Sequence, residues 1–193
     1  YLATQRMAES GFVGFDTETR PVFSKDGLRD GPHLIQLATL EEAFLIPVNA
    51  STPIDFLREV LESQQLLKVG FGLKSDRGPL HRKLGIRLAG AIELAHAVKR
   101  LGYRQAVGVK AAVAIVLGQR LQKSKKATTS NWALQMLAPS QIQYAADDAH
   151  AALAVFYALG CPLPEIKALE PNPSPEPTCT GMALAPQLKR QAA

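Results

Sequence analysis

Apolar positions in the first half of the chain fall into short runs bounded by turn residues, whereas in the second half they recur at helical spacing. Residues 12–15 form a compact apolar run that ends in Asp16, and residues 33–40 and 43–48 form two more. Three strands are expected there, as antiparallel neighbours. Glu41 and Glu42 suit a tight hairpin between the second and third, and residues 21–32, with Pro, Gly and charged residues, suit a longer loop before the second. Ser51, Thr52 and Pro53 make a helix start, after which Phe56, Leu57, Val60 and Leu61 keep helical spacing. That helix is expected to cover the sheet. Residues 66–71 read as a fourth strand, the segment after Gly72 as a helix ending near Gly85, and residues 91–94 as a short fifth apolar piece. Residues 95–101, 109–117 and 140–159 then read as helices, the last capped by Ser140 after Pro139.

The expected fold class is therefore α/β, a mixed sheet of about five strands flanked by helices. Composition changes after Gly160, where seven of the thirteen prolines fall within the last 33 residues. Two units are expected: a domain over residues 1–160 and a proline-rich, extended tail over residues 161–193. With 193 residues and 47% hydrophobic content the chain can bury a core, which excludes a disordered chain. No run approaches the roughly 18 apolar residues of a spanning helix, and residues 1–20 lack a signal-peptide pattern. The expectation is a soluble, cytoplasmic protein with no membrane partner, as far as a chain opening on Tyr1 rather than Met can show. Cys161 and Cys179 are too few for a disulfide framework and lack metal-ligand spacing, so neither receives a role.

The net charge of +5 is unevenly spread. No acidic residue lies between Glu93 and Asp147, a stretch holding Lys99, Arg100, Arg104, Lys110, Arg120, Lys123, Lys125 and Lys126. This stretch carries +8 and the remainder −3. Clustered Lys and Arg gain free energy by releasing phosphate counterions, so a polyanion is one partner class; the other reading is a solvated basic face.

Three clusters carry candidate chemistry. Asp16 and Glu18 end an apolar strand two positions apart, which points both side chains to one face. Two such carboxylates repel each other unless a divalent cation lies between them. Tyr144 and Asp148 are four apart in the last expected helix and share a face, while Asp147 is turned about 100° away. The bland reading of that pair is a core-rim tyrosine beside a surface acid. Asp76 follows the fourth strand, where its bland reading is a cap for a helix starting late, near Gly78 and Pro79. The glycines nearby match neither a Walker loop nor a dinucleotide fingerprint.

In the order Asp16, Glu18, Asp76, Tyr144, Asp148, these residues resemble the three exonuclease motifs of the DEDD superfamily. The resemblance is closest to its tyrosine branch, the group of ribonuclease D and the Werner exonuclease. The segments 33–38, 121–123 and 130–132 agree with it, and Gln143 stands where the histidine branch has His. The resemblance covers residues 10–160 and implies a ribonuclease H-like fold. It further implies a metal-dependent 3'-to-5' exonuclease acting on nucleic acid with a free 3' end, DNA or RNA, and releasing nucleoside monophosphates. It implies two divalent ions, Mg2+ or Mn2+, with Asp16 bridging both, Glu18 and Asp148 on one, Asp76 helping to hold the second through water, and Tyr144 orienting the attacking water. Zinc is disfavoured, because His33, His81, His96 and His150 are scattered. Lys123 and Arg120, which lead into the helix bearing Tyr144, are the expected strand contacts. Trp132 is read as core rather than as a base-stacking platform. The competing function is a nucleic-acid-binding module on the same fold without turnover.

Overall fold

The computed structural model describes residues 6–7, 9–22, 30–103, 105, 107–122, 129–161 and 168–169. In chain order the elements are β1 (Phe12–Glu18), β2 (Leu34–Ala38), β3 (Ala43–Pro47), α1 (Ile54–Glu62), β4 (Leu67–Gly70) and α2 (Lys74–Leu84). They continue with β5 (Ala91–Glu93), α3 (Leu94–Lys99), α4 (Val109–Leu117), α5 (Pro139–Ala158) and β6 (Ala168–Leu169). The sheet runs β3-β2-β1-β4-β5-β6. β1, β2 and β3 pair antiparallel, and β4 and β5 continue from β1 in parallel. No helix among the described residues is long and apolar enough to cross a membrane.

All five expected strands are present, and β6 adds a sixth from within the proline-rich segment, antiparallel to β5. Two residues are too few to show any periodicity, yet they pair backbone groups along the outer edge of β5. One helix start differs from expectation, and at another the capping reading of Asp76 is not met. α5 begins at Pro139, with Ala138 rather than Ser140 in the capping position, because Pro is pre-set for the first helical turn. α2 begins directly after the turn at Gly72 (φ 77), its first bonds running from Ser75 to Gly72 and from Asp76 to Leu73. Asp76 therefore lies inside its first turn rather than capping it, and Pro79 falls within the helix.

Helices cover both faces. α1 and α2 pack with Val13, Phe15, Ile35 and Leu37 on one side, and α4 and α5 pack with Val69 and Ile92 on the other. Lys68 of β4 is fully buried, and its ammonium donates to the carbonyls of Val60 (3.1 Å), Ser63 (2.5 Å) and Leu66 (2.7 Å). It thereby ties β4 to the C-terminal end of α1, where the helix dipole favours a cation. Burial pushes its pKa down to about 7, while the three carbonyls oppose that shift by binding the charged form.

β1 obeys the strand period of two. Val13 and Phe15 enter the core beneath α1 and α2, so Gly14, Asp16 and Glu18 face α5. A Cβ on Gly14 would overlap the carbonyl oxygen of Ala149, so only glycine lets α5 lie this close to the strand. Gly14→Ala is expected to cost at least about 2 kcal/mol. Urea unfolding checks this, and an unchanged midpoint would show that the helix gives way freely.

Candidate active site

The close approach at Gly14 sets the geometry of the carboxylates. Ala149 sits over Gly14, so Asp148, one residue earlier on α5, comes down beside the end of β1. Asp16, Glu18 and Asp148 each offer an oxygen, and these three atoms lie within 4.8 Å of one another. Asp148 is 3% exposed, while Asp16 and Glu18 are half-buried. A cavity of about 200 Å3 opens beside Asp16 and Asp148, walled by Phe15, Phe71, Ala152 and, at the start of α4, Gly108 and Val109. It lies toward the C-terminal ends of the parallel strands β1 and β4, where open α/β sheets leave a crevice.

Asp76 approaches from the opposite helical layer and is not part of this three-carboxylate group. Its Oδ1 accepts from the Thr17 hydroxyl at 2.6 Å. Desolvation raises its pKa to about 6; the Thr17 hydrogen bond opposes that, and the charge of Glu93 adds to it. Glu93, 7% exposed at the end of β5, accepts from Leu73 N (2.9 Å) and Ala95 N (3.1 Å). One buried carboxylate thus anchors the starts of both α2 and α3. In the sequence Glu93 merely bounds the acid-free stretch, although an acid directly before a helix is a capping pattern.

Tyr144 is 6% exposed and packs with Leu34, Ala145 and Trp132; the Trp132 and Tyr144 ring centroids are 5.8 Å apart. Trp132, 1% exposed, belongs to the core as the sequence indicated. Gln141 holds this arrangement from below: its Oε1 accepts from Ala138 N (3.0 Å), and its Nε2 donates to Ser130 Oγ (2.9 Å) and Asn131 O (3.3 Å). This buried amide replaces the missing cap of α5 and fixes the residues leading into Trp132. A lone Gln inside a helix carries no sequence signature of that role.

Other residues stand apart. Asp147 accepts from Gln143 Nε2 (2.7 Å), and exposed His150 meets the Leu40 carbonyl (3.1 Å). Arg120 is exposed and lines a different cavity, of about 280 Å3, with Asp147, His150 and Ala151, so it is not gathered with the carboxylates. Its position after α4 is set by the helix stop at Gly118 (φ 63), which periodicity does not reveal. Lys123 lies outside the described residues.

The site fits a hard divalent cation. Three converging carboxylates repel one another, the ligands are all oxygen, and neither His nor Cys joins them. Directly across the ladder from Asp16, Gln36 is fully buried with neither side-chain polar atom hydrogen-bonded, an unmet polar demand at the site's edge.

The fold and this acidic cluster define an α/β domain with a carboxylate site suited to a hard divalent cation. Residues 3–163 match the family described as 3'-5' exonuclease, and the chain belongs to it. It is 31% identical over 160 residues to the mouse bifunctional 3'-5' exonuclease/ATP-dependent helicase WRN, covering 81% of this chain but 11% of that protein. Among solved structures, the Nibbler EXO domain of Aedes aegypti superposes with a TM-score of 0.70 at 24% identity, covering 85% of this chain and 84% of that one. Escherichia coli RNase D also gives 0.70, at 20% identity over 83% of this chain and 41% of that one. The two structural matches establish the ribonuclease H-like fold expected from the sequence.

Because Trp132 is the chain's single tryptophan, its emission reports the contact with Tyr144. Gln141→Ala is expected to lower stability by about 1–3 kcal/mol and to shift that emission to longer wavelength. Fluorescence-monitored urea unfolding measures both, and unchanged emission with an unchanged midpoint would remove Gln141 from this role.

Proposed function

We propose that this chain shortens DNA or RNA from its 3' end, hydrolysing successive phosphodiester bonds to release nucleoside monophosphates. The observation that carries the reading is the convergence of Asp16, Glu18 and Asp148 within 4.8 Å in a chain of the exonuclease family. Asp16 would contact two divalent ions, Glu18 and Asp148 one of them, and Asp76 would help hold the second through water. Mg2+ or Mn2+ suits such all-oxygen ligands, and when bound supplies Lewis acidity at phosphorus and a lowered pKa for water.

The chain's own residues do the rest. Glu18 and Asp148 fix one end of the site from two different elements, so loss of either opens it. Tyr144, one turn before Asp148 and packed against Trp132, is proposed to orient the attacking water, as in the tyrosine branch. Arg120 and Lys123 are proposed to contact the strand's phosphates away from the reacting bond. Residues 1–160 act as the exonuclease domain and residues 161–193 as a proline-rich tail that lends residues 168–169 to its sheet, a division supported by the change in composition.

Matched DNA and RNA oligonucleotides, 5'-labelled and with free or blocked 3' ends, test the reading. Shortening is expected only from free 3' ends, is stopped by a chelator and returns with Mn2+ or Mg2+. Asp16→Asn is expected to slow it by at least about 10³-fold, the equivalent of several kcal/mol of transition-state stabilisation. Undiminished shortening by Asp16→Asn would overturn the assignment, and salt-sensitive binding without shortening would favour the binding module.

A further inference from the structure

Thr17 stands between Asp16 and Glu18, but the strand period turns its side chain to the opposite face of β1, the face covered by α2. From there its hydroxyl donates to Asp76 Oδ1 (2.6 Å), while its backbone N–H donates to Asp16 Oδ1 (2.9 Å). One residue therefore grips two of the four candidate acids, one from each side of the sheet. A threonine hydroxyl has a single hydrogen to donate, and here that hydrogen is committed to Asp76. The bond joins two layers 59 residues apart in sequence.

The geometry points to Thr17 as a positioning residue that sets Asp76 in register with Asp16. This rests on the nuclease reading above. Asp76 arrives on the first turn of α2, whose start is anchored to β5 through Glu93 and Leu73. That anchor fixes the backbone, but a carboxylate still rotates about its side-chain torsions. The Thr17 hydroxyl holds one carboxyl oxygen and so selects the rotamer that presents the carboxyl toward the end of β1. β-branched residues are common in strands for packing reasons alone, so the hydroxyl, not the branching, is what the assignment concerns. Valine keeps the shape and strand preference of threonine without the donor, and serine keeps the donor without the methyl.

The test compares the wild-type chain with Thr17→Val, Thr17→Ser, Asp76→Asn and the double variant T17V/D76N. Mn2+ binding is followed by calorimetry, and kcat and KM are measured on a 5'-labelled oligonucleotide. Thr17→Val is expected to weaken Mn2+ binding and to lower kcat by about 10–100-fold each, with KM for the strand unchanged. Thr17→Ser is expected to restore both. The double variant should be no worse than Asp76→Asn alone, because Thr17 acts through Asp76. Should Thr17→Val fail to fold, Thr17→Ala removes the same donor without adding bulk. Wild-type Mn2+ affinity and kcat in the folded hydroxyl-free variant would overturn the proposal, and so would fully additive losses in the double variant. A wild-type chain that binds Mn2+ but shortens no strand would sink the nuclease reading, leaving calorimetry alone to decide on Thr17. One that does neither overturns both.

Discussion

The contact on which the site depends is the one between Gly14 and the carbonyl of Ala149. A helix normally stands off a sheet by the thickness of two side-chain layers, a distance at which a short aspartate cannot reach a strand's carboxylates. Gly14 removes one layer and the alanines of α5, among them Ala145, Ala149 and Ala152, thin the other. Asp148 is thus delivered beside Asp16 and Glu18 by backbone proximity rather than by a long flexible side chain. Precision follows from this, since a short side chain on a tightly packed helix has few rotamers to explore.

The four candidate acids are not equivalent, and the sheet explains why. Asp16, Glu18 and Asp148 share the α5 face, whereas Asp76 belongs to the layer behind β1. The first three sit on elements placed by packing that also forms the core, and Asp16 in addition accepts from Thr17 N. Asp76 is held by discrete hydrogen bonds, its own to Thr17 and the Glu93 bracket behind it. Packing tolerates small shifts collectively, but a hydrogen bond is lost outright with its donor.

This division also governs what could be read from the sequence. The period of two brings Asp16 together with Glu18, and the four-residue spacing puts Tyr144 and Asp148 on one helix, because each pair lies within one element whose geometry is local. The five main strands were legible for the same reason, as apolar runs between turn residues. What stayed hidden is tertiary. The use of Glu93, Gln141 and Thr17 as brackets depends on backbone groups brought from elsewhere in the chain, and β6 is a two-residue pairing defined wholly by its neighbour. The turn at Gly72, not Pro79, decides where α2 starts, which places Asp76 inside the helix rather than at its cap.

Charge follows a similar logic. Of the two expected strand contacts, Arg120 lines a separate cavity beside α5 and Lys123 lies outside the described residues. The basic residue nearest in sequence to the site's own cavity is Lys110, exposed in the first turn of α4 directly after Gly108 and Val109. That turn contains no acid, so the positive end of the helix dipole lies beside the cavity wall formed by Gly108 and Val109. A cluster of carboxylates repels a phosphodiester, and divalent cations remove that repulsion only at the cluster itself. A positive rim on the facing wall acts beyond it, over the screening distance of about 10 Å at ordinary salt. The start of α4 and the carboxylates of β1 and α5 line one cavity, so under the proposed function the positive end of α4 would draw the polyanion toward the cluster.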